Sequence, residues 1–368
     1  MKIAFVHCRV TPGGALAVFQ DLIDEQEFSQ GRIFTLFSDR STLHTSKHKL
    51  PIVTALPHRM NQLFLFCSTH KVPFLSRLLD YRNLMFFYPT LMWNLSRKIK
   101  KYGPQSITIS SFAVAKNIKP ISGVPMTLYL HSPMQYIRSH YNEYEMKVTG
   151  IKGKLFRYIA HILRNRDLKY TKFDTVYANS EYTAELAKKL YHMPQVTVSY
   201  PRINPAFATA EIVEEPLPYY LYVGRLVNFV RETDVIIKLF NELGLPLIMM
   251  GSGPDEVYLK SIAKPNIIFI GWVADPAEKL KIMSQAKGLI NLTKESFGMG
   301  TAESLLLGVP VFGFNEGATS SLVNEDSGIL VHSKKLEALK KDFVRFQEKQ
   351  WNRKQIAIHA RRKLAGGK

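Results

Sequence analysis

Residues 288–314 read GLINLTKESFGMGTAESLLLGVPVFGF, and their pattern indicates the fold class. Two short apolar runs, Gly288–Leu292 and Val309–Phe314, predict strands. Between them lie a turn of small residues and a helical segment, Thr301–Leu307, which ends at Gly308. The order is that of a strand, a loop, a helix and a second strand. In open parallel sheets such loops lie at the carboxyl edge of the sheet, where ligands bind.

Two carboxylates lie in this stretch. Glu295 is in the loop, and we expect Glu303 in the first turn of the helix. A loop carboxylate beside the backbone amides of Gly298 and Gly300 suits sugar hydroxyls, and a helical carboxylate suits a ribose diol. The same residues also have a purely structural interpretation. A helix dipole favours a first-turn Glu by about 0.3–1 kcal/mol, and small residues serve tight turns.

Length and composition indicate a globular protein with two domains. The chain has 368 residues, more than one hydrophobic core usually holds, with 46% hydrophobic and 21% charged residues. The two cysteines, Cys8 and Cys67, lack metal-ligand spacing and fit a reducing cytosol. The first residues lack the core of a signal peptide, and no apolar run reaches the ~18–20 residues that span a bilayer. We therefore expect a cytoplasmic protein, either soluble or peripheral to the membrane.

The net charge of +19 predicts an anionic partner. Basic residues are concentrated in segments 97–101 and 151–172, and the second alternates them with apolar residues at helical spacing. Such a helix suits an anionic membrane surface, although a solvated basic face packed on its own domain gives the same pattern. Zinc-finger spacing, an RNA-recognition signature and a helix-turn-helix pattern are all missing from the sequence. A nucleic-acid partner is therefore not expected.

The rest of the chain repeats the alternation of strands and helices. In the first half the predicted strands are Lys2–His7, Arg32–Phe37, Gln105–Ser110, Met126–His131, Thr175–Asn179 and Val196–Tyr200. Residues 51–95 are rich in aromatics and fit core helices, helices that line an acceptor groove or helices that dip into a membrane interface. The proline-rich segment Pro201–Pro218 is typical of a linker. The second half adds strands at Tyr219–Val223, Leu247–Met250, Ile267–Ile270 and Gly328–Val331, and helices at Thr233–Leu243 and Pro276–Ala286. This pattern predicts an α/β protein with two doubly wound sheets.

Two features of the first half are candidates for a site. Gly13 and Gly14 precede a predicted helix, Ala15–Asp24, where backbone amides can approach a phosphate. His131 ends a buried strand, at an edge where side chains face a cleft. Most glycine pairs are only turns and most single histidines are structural, so neither feature establishes a site by itself.

The second half resembles the GT-B nucleotide-sugar glycosyltransferases, specifically the large retaining family four. The resemblance covers about 110 residues through Tyr222-Val223-Gly224-Arg225-Leu226, Gly251-Ser252-Gly253-Pro254, Ile270-Gly271-Trp272-Val273, Glu295-Ser296-Phe297-Gly298-Met299 with Glu303, and Gly308-Val309-Pro310-Val311. The first half resembles bacterial mannosyltransferases of O-antigen and exopolysaccharide assembly through Ser110-Ser111, Ala113-Val114-Ala115-Lys116, His131-Ser132-Pro133-Met134-Gln135-Tyr136 and Ala178-Asn179-Ser180.

The resemblance implies roles for individual residues. Arg225 would pair with the donor diphosphate, and Glu303 would bind the ribose. The sugar would be held by Glu295 together with Phe297, Gly298 and Met299. From the other domain, Gly13 and Gly14 would close over the diphosphate, and His131 would contact the sugar near its anomeric carbon. His131 and Glu295 are the predicted catalytic residues.

Some positions depart from the family pattern. The family usually has a Lys shortly after the Gly-Arg pair, and we assign Arg231 as its replacement, a phosphate ligand. An Asp-x-Asp metal motif is missing, so we expect neither a metal ion nor another cofactor. The phrase Pro201-Arg202-Ile203-Asn204 also departs from the usual linker.

We therefore expect a GT-B enzyme with two Rossmann-like domains that face each other across a cleft, residues 1–205 on the acceptor side and 206–345 on the nucleotide-sugar side. Residues 346–368 form a helix and tail that cross back toward the first domain. The expected reaction moves a hexose, with mannose as the candidate, from a nucleoside diphosphate to a lipid-linked saccharide at the inner membrane face. Alternatives are a sugar-nucleotide epimerase or phosphorylase, and a non-catalytic lipid- or polysaccharide-binding relative.

Overall fold

A computed structural model describes residues 1–11, 13–38, 40–57, 59–62, 66, 87–146 and 148–365. The chain divides into two compact units. Unit 1 comprises Met1–Asn179 and Thr183–Pro201, and unit 2 comprises Ser180–Tyr182 and Arg202–Lys368. A parallel or mainly parallel sheet forms the centre of each unit.

Unit 1 is built on an eight-stranded sheet in the order β3-β4-β2-β1-β5-β6-β7-β8. Its strands are β1 Lys2–Val10, β2 Gln30–Ser38, β3 Thr42–His44, β4 Lys49–Thr54, β5 Ser106–Ser111, β6 Met126–Leu130, β7 Thr175–Ala178 and β8 Thr197–Val198. Helices of the described residues before the second sheet include α1 Gly14–Asp24, α2 Tyr88–Tyr102, α3 Tyr141–Met146, α4 Gly150–Asp167 and α5 Glu181–Tyr191. All strand pairs are parallel except β3 with β4.

The centre of the unit 1 sheet is covered on both faces. Ile3 to Val6 of β1 are completely buried, and their side chains alternate between two hydrophobic clusters. Phe5 packs with Phe19 of α1 in one cluster, and Val6 lies in the other with Leu95 of α2. A continuous apolar run, rather than an alternating one, is typical of parallel strands that are buried on both faces.

Unit 2 is built on a six-stranded parallel sheet in the order β11-β10-β9-β12-β13-β14. Its strands are β9 Tyr220–Val223, β10 Leu247–Met250, β11 Ile267–Gly271, β12 Gly288–Asn291, β13 Val311–Phe314 and β14 Gly328–Val331. Its helices are α6 Pro205–Thr209, α7 Asn228–Arg231, α8 Thr233–Leu243, α9 Glu256–Ile262, α10 Pro276–Ser284, α11 Met299–Leu306, α12 Thr319–Leu322, α13 Leu336–Glu348 and α14 Arg353–Ala365. This strand order is that of the Rossmann fold.

The structure differs from the sequence prediction at several elements. The antiparallel pair β3 and β4 was not predicted, because both strands are short and their residues show no regular alternation of buried apolar and exposed polar side chains. The predicted linker Pro201–Pro218 contains α6, which begins with a proline and is capped by the side chain of Asn204. Most of the aromatic stretch 51–95 lies outside the described residues, as does Cys67.

The C-terminal helix α14 belongs to unit 2, where it packs against α11. The buried Arg353 at its start donates hydrogen bonds to the carbonyl oxygens of Ala286 at 2.9 Å and Ser284 at 2.6 Å. Burial lowers the pKa of this guanidinium to about 10. The crossing of residues 346–368 toward the first domain stays a prediction, as do the predicted domain boundaries.

Candidate functional site

The strand order of unit 2 locates its candidate site. β9 lies between β10 on one side and β12 on the other, so successive connections leave β9 in opposite directions. Doubly wound sheets bind ligands at such a switch point, outside the carboxyl ends of the two strands. Arg225 follows β9 and Glu295 follows β12, so both predicted site residues lie in the loops that flank this point.

The loop after β9 is fixed by the loop after β10. The N–H of Leu226 donates to the carbonyl oxygen of Ser252 at 3.0 Å. A Cβ on Gly251 would lie 1.8 Å from the carbonyl oxygen of Gly224, and one on Gly253 would lie 2.1 Å from that of Leu226. Only glycine permits this approach of two backbones. The glycines of the Gly251-Ser252-Gly253-Pro254 phrase therefore shape the loop that carries Arg225.

Two arginines lie on this side of the site, and they differ in exposure and in ion pairing. Arg225 is exposed, and its guanidinium makes no hydrogen bond or ion pair to the part of the chain that the structure describes. Arg231, at the end of α7, is half-buried and forms a salt bridge with Glu295. Burial lowers the pKa of Arg231, but the charges of Glu295 and Tyr222 and the hydrogen bond to Glu295 together raise it by more, so the net shift is upward. The structure thus joins Arg231 to a second predicted site residue.

Glu295 is held by both its side chain and its backbone. One carboxylate oxygen contacts Arg231, and the other accepts from Asn291 Nδ2 at 3.0 Å. The Glu295 carbonyl oxygen accepts from the N–H of Ala318 at 2.8 Å. At Gly317, with φ 73°, a Cβ would lie 2.5 Å from that carbonyl oxygen. The carboxylate is therefore fixed at the carboxyl end of β12.

The next residues lead into α11. Gly298, with φ 84°, is the residue before the helix, and Met299 is its half-buried first residue. Phe297 is buried in the core. A Cβ on Gly300 would lie 3.4 Å from the Cβ of Val223, so the helix start packs on the end of β9. The first-turn N–H groups of a helix lack intrahelical acceptors and favour an anion.

Glu303 corrects one sequence expectation. Because α11 begins at Met299, this residue lies in the second turn, and the first turn holds no acidic residue. Its buried carboxylate accepts two hydrogen bonds from Lys279 Nζ of α10. Burial raises the pKa of Glu303, and the Lys279 ammonium offsets part of that increase. Sequence reasoning missed Lys279, because the contact joins residues far apart in sequence and no motif marks it.

The predicted residues of unit 1 lie at the carboxyl edge of its own sheet. Gly13, with φ 152°, precedes α1, and a Cβ on Gly13 or on Gly14 would meet no atom within 4 Å. His131 directly follows β6 and is 7% exposed. Its Nε2 lies 2.8 Å from Ser110 Oγ of β5. Burial lowers the pKa of His131 to about 3, and the neighbouring His7 adds to this shift.

Among the described residues, no group of three or more His, Cys, Asp and Glu side chains could hold a metal ion. The prediction that the reaction needs no metal stays a prediction.

Comparisons with known proteins agree with this architecture. Residues 218–348 match the model of the family described as glycosyl transferases group 1. A search of curated proteins found no significant match to the sequence.

Solved structures match over nearly the whole chain. The Anabaena protein Alr3699/HepE in complex with UDP is 15% identical with a TM-score of 0.65, covering 100% of this chain and 95% of that one. The lipopolysaccharide outer core galactosyltransferase WaaB is 14% identical with a TM-score of 0.62, covering 98% and 95%. The sucrose-phosphate synthase of Thermosynechococcus elongatus is 15% identical with a TM-score of 0.66, covering 100% and 94%. The chain therefore has the GT-B fold, and together with the matching group 1 domain this fold supports a glycosyltransferase.

Proposed function

We propose that the protein is a retaining glycosyltransferase that moves a hexose from a nucleoside diphosphate to a lipid-linked saccharide in bacterial surface polysaccharide synthesis. The observation that carries the proposal is the paired Glu295 and Arg231 at the switch point of unit 2, inside the segment that matches the group 1 family. A fixed carboxylate next to fixed cations suits a ligand that combines sugar hydroxyls with a diphosphate.

The proposed chemistry is electrostatic. Departure of the leaving group builds negative charge on the diphosphate, and preorganised donors stabilise that charge in the transition state. Arg225 offers an exposed guanidinium without a partner among the described residues, and its planar fork of N–H groups fits phosphate oxygens. Arg231 and the first-turn N–H groups of α11 are the further donors. Glu295, with the backbone of 297–299, holds the sugar hydroxyls.

Glu303 is proposed to bind the ribose while it remains paired with Lys279. Each carboxylate oxygen has two lone-pair positions, so an oxygen that accepts from Lys279 Nζ can also accept from a hydroxyl. Lys279 then holds the buried carboxylate in place and favours its ionised form, which makes Lys279 a candidate donor-binding residue.

Unit 1 supplies the remaining proposed contacts. Gly13 and Gly14 present backbone N–H groups to the diphosphate, and His131 contacts the sugar. Retention follows when the acceptor attacks the face from which the diphosphate departs, with an oxygen of the leaving group taking the acceptor's proton.

The structural neighbours support the choice of substrates. HepE is described in complex with UDP and glucose, WaaB as a galactosyltransferase of the lipopolysaccharide outer core, and WaaG as a glycosyltransferase involved in lipopolysaccharide biosynthesis. The preference for mannose rests on the resemblance of the first half of the chain to bacterial mannosyltransferases.

Peripheral binding to an anionic membrane is also proposed, chiefly through α4. Ile151, Leu155 and Tyr158 are 86%, 55% and 62% exposed, and their spacing places them on one side of the helix. Lys152 and Lys154 are exposed nearby. An exposed apolar stripe flanked by cations suits the interface of an anionic bilayer. No helix in the described part of the chain is long and apolar enough to cross a membrane.

The second basic segment, 97–101, is less uniform than the sequence indicated. Arg97, Lys100 and Lys101 are exposed on α2, but Lys98 Nζ donates to the carbonyl oxygen of Thr54 at 2.7 Å.

Co-sedimentation with vesicles of phosphatidylglycerol tests the proposed membrane binding. Leu155→Ser should weaken binding, whereas Val257→Ser, a change at an exposed position of α9 in unit 2, should not. Equal binding by the two variants would refute the role of α4.

The enzymatic proposal is tested by a thermal-shift screen with UDP, GDP, ADP and dTDP sugars. A donor at a hundred times its dissociation constant stabilises the protein by about 2.7 kcal/mol. Donors that bind are then assayed for transfer to lipid-linked saccharides. Turnover without an acceptor would indicate an epimerase, and turnover with free phosphate would indicate a phosphorylase. If no nucleotide sugar is bound or consumed, the proposal is wrong.

A further inference from the structure

Three polar side chains form a continuous hydrogen-bonded chain across the sheet of unit 1. His7 of β1 is the register partner of Ser110 of β5, and His7 Nδ1 lies 3.0 Å from Ser110 Oγ. The same Oγ lies 2.8 Å from His131 Nε2. All three residues are buried, and Ser110 is completely inaccessible. Ser110 therefore bridges two imidazoles, of which only His131 has an assigned role.

Both rings are held by their surroundings. His7 stacks on Phe19 of α1, with ring centroids 4.6 Å apart and planes at 11°. His131 contacts the ring of Tyr129 edge-on at 4.9 Å, and the hydroxyl of Tyr129 donates to the carbonyl oxygen of Ser199 at 2.7 Å. The orientation of both imidazoles is thus set before any ligand binds.

The direction of the hydrogen bonds follows from the number of protons. Burial lowers the pKa of both His7 and His131 to about 3, so at neutral pH each ring is neutral and carries one N–H. Ser110 has a single hydroxyl proton and donates to only one ring. If both rings donated to Ser110, its hydroxyl proton would have no acceptor among the described residues. Ser110 therefore accepts from the other ring, and two arrangements of protons remain.

The Nε2 atom of His7 distinguishes the two arrangements of protons. His7 Nε2 is buried and has no polar partner among the described residues. A proton on that nitrogen would be an orphaned buried donor, which is rarer in proteins than an unsatisfied acceptor. His7 therefore carries its proton on Nδ1 and donates to Ser110. Ser110 in turn donates to His131 Nε2, which leaves the proton of His131 on Nδ1.

We propose that Ser110 and His7 are positioning residues that hold the imidazole of His131 as its neutral Nδ1–H tautomer, so that His131 acts as a hydrogen-bond donor. The inference deepens the proposed function and rests on it for the ligand, which is an acceptor oxygen of the sugar or diphosphate. The tautomer itself does not depend on any activity.

Nitrogen-15 NMR of histidine-labelled full-length protein tests the tautomer. The ring resonances of His131 are assigned from their loss in His131→Gln. The proposal expects a protonated Nδ1 and an unprotonated Nε2 in the unmodified protein, and a mixture of both tautomers in Ser110→Ala. Thr108→Val is the matched control, because it removes a buried hydroxyl of the same strand that bonds to Gln26 at 2.9 Å instead of a histidine.

Either of two results would overturn the assignment: Nε2 protonated in the unmodified protein, or an unchanged tautomer in Ser110→Ala. Ser110→Thr keeps the hydroxyl and should restore the original spectrum. If His7 is replaced by Phe, the hydroxyl of Ser110 loses its donor, and the Nε2–H form of His131 should gain population.

Kinetics separate this inference from the proposed function. Ser110→Ala should lower kcat about ten- to hundredfold, with the donor KM within about twofold of its original value. The ring of His131 stays in place in this variant, but part of the population carries its proton on Nε2 and cannot donate from Nδ1. Thr108→Val should retain the original kcat. An unchanged kcat in Ser110→Ala, despite an altered tautomer, would refute the positioning role. If the unmodified protein transfers no sugar at all, the proposed function fails while the NMR result stands.

Discussion

Both carboxylate oxygens of Glu303 accept hydrogen bonds from the ammonium of Lys279, at 2.7 and 2.6 Å. The pair joins α10, which precedes β12, to α11, which follows it. The Lys279 ammonium also lies 5.5 Å from the centre of the Phe207 ring of α6. One lysine thus connects three helices of unit 2, and its ammonium offsets part of the increase that burial causes in the pKa of Glu303.

Replacing this lysine should destabilise the protein. Lys279→Met leaves the Glu303 carboxylate buried without its cation, which should lower the free energy of unfolding by about 1–3 kcal/mol. Lys281→Met, at an exposed position of the same helix, should change it by no more than about 0.5 kcal/mol. Urea unfolding of both variants measures the difference, and equal stabilities would show that the pair contributes nothing.

The Glu295 carboxylate should be required for transfer. Glu295→Ala should lower kcat at least about 10²-fold while the fold is retained, because both the sugar contact and the partner of Arg231 are lost. Glu316→Ala removes an exposed carboxylate that pairs with Lys294, and it should leave the rate unchanged. Product formation and circular dichroism are the measurements. Unaltered turnover in Glu295→Ala would refute the assignment.

Arg225 should contribute to binding of the diphosphate. Arg225→Ala should raise the Kd for a nucleoside diphosphate about ten- to hundredfold, since a charge-assisted hydrogen bond contributes about 1.5–3 kcal/mol. The difference should shrink at high salt, because the side chain is exposed. Titration calorimetry measures the Kd at low and high salt, with Arg345→Ala on the surface of α13 as the control. A Kd equal to that of the control variant would exclude the contact.

Acid should destabilise unit 1 through its buried histidines. Burial lowers the pKa of His7 and His131 to about 3, so the unfolded chain binds protons at these sites below pH 6.5 while the native state does not. Stability therefore falls as pH decreases below about 6.5, by up to about 1.4 kcal/mol per histidine and pH unit. The free energy of unfolding, measured at about pH 7 and pH 5, should depend less steeply on pH in His7→Gln than in the unmodified protein. An identical dependence in that variant would contradict this origin.

Gly298 should be needed for activity beyond its effect on stability. Ala at position 298 is strained by the positive φ, and its Cβ would lie 3.1 Å from the Oε2 of Glu295. Gly244→Ala meets a similar backbone strain at φ 67° but no neighbouring atom. Both variants should lose about 1–2 kcal/mol of stability, but only Gly298→Ala should lose transferase activity. Equal activities would show that Glu295 tolerates the extra methyl group.

Much of this architecture follows from local sequence patterns. The strand β10 and the helix α8 have the predicted bounds, because a buried parallel strand is a short apolar run and an amphipathic helix repeats its apolar positions every three to four residues. The start of α11 was predicted two residues late. Gly298 and Gly300 indicate a turn by composition, yet the second lies within the helix, where its lack of a side chain permits contact with Val223.

The contacts that fix the site could not be predicted in the same way. Lys279 and Glu303 belong to separate helices, and Arg231 and Glu295 to separate crossover units, so their pairing depends on the order of strands in the sheet. Ser110 and His131 lie inside phrases that resemble those of a family, but the bridge to His7 became visible only from the register of β1 and β5.

Gly251 and Gly253 leave no room for a Cβ against the backbone of 224–226. Any attempt to change which nucleotide sugar the protein accepts must therefore redesign the turns at 224–226 and 251–253 together. Randomising the glycines would mainly yield unfolded proteins, whereas the outward-pointing position 225 can be varied without disturbing the chain beneath it.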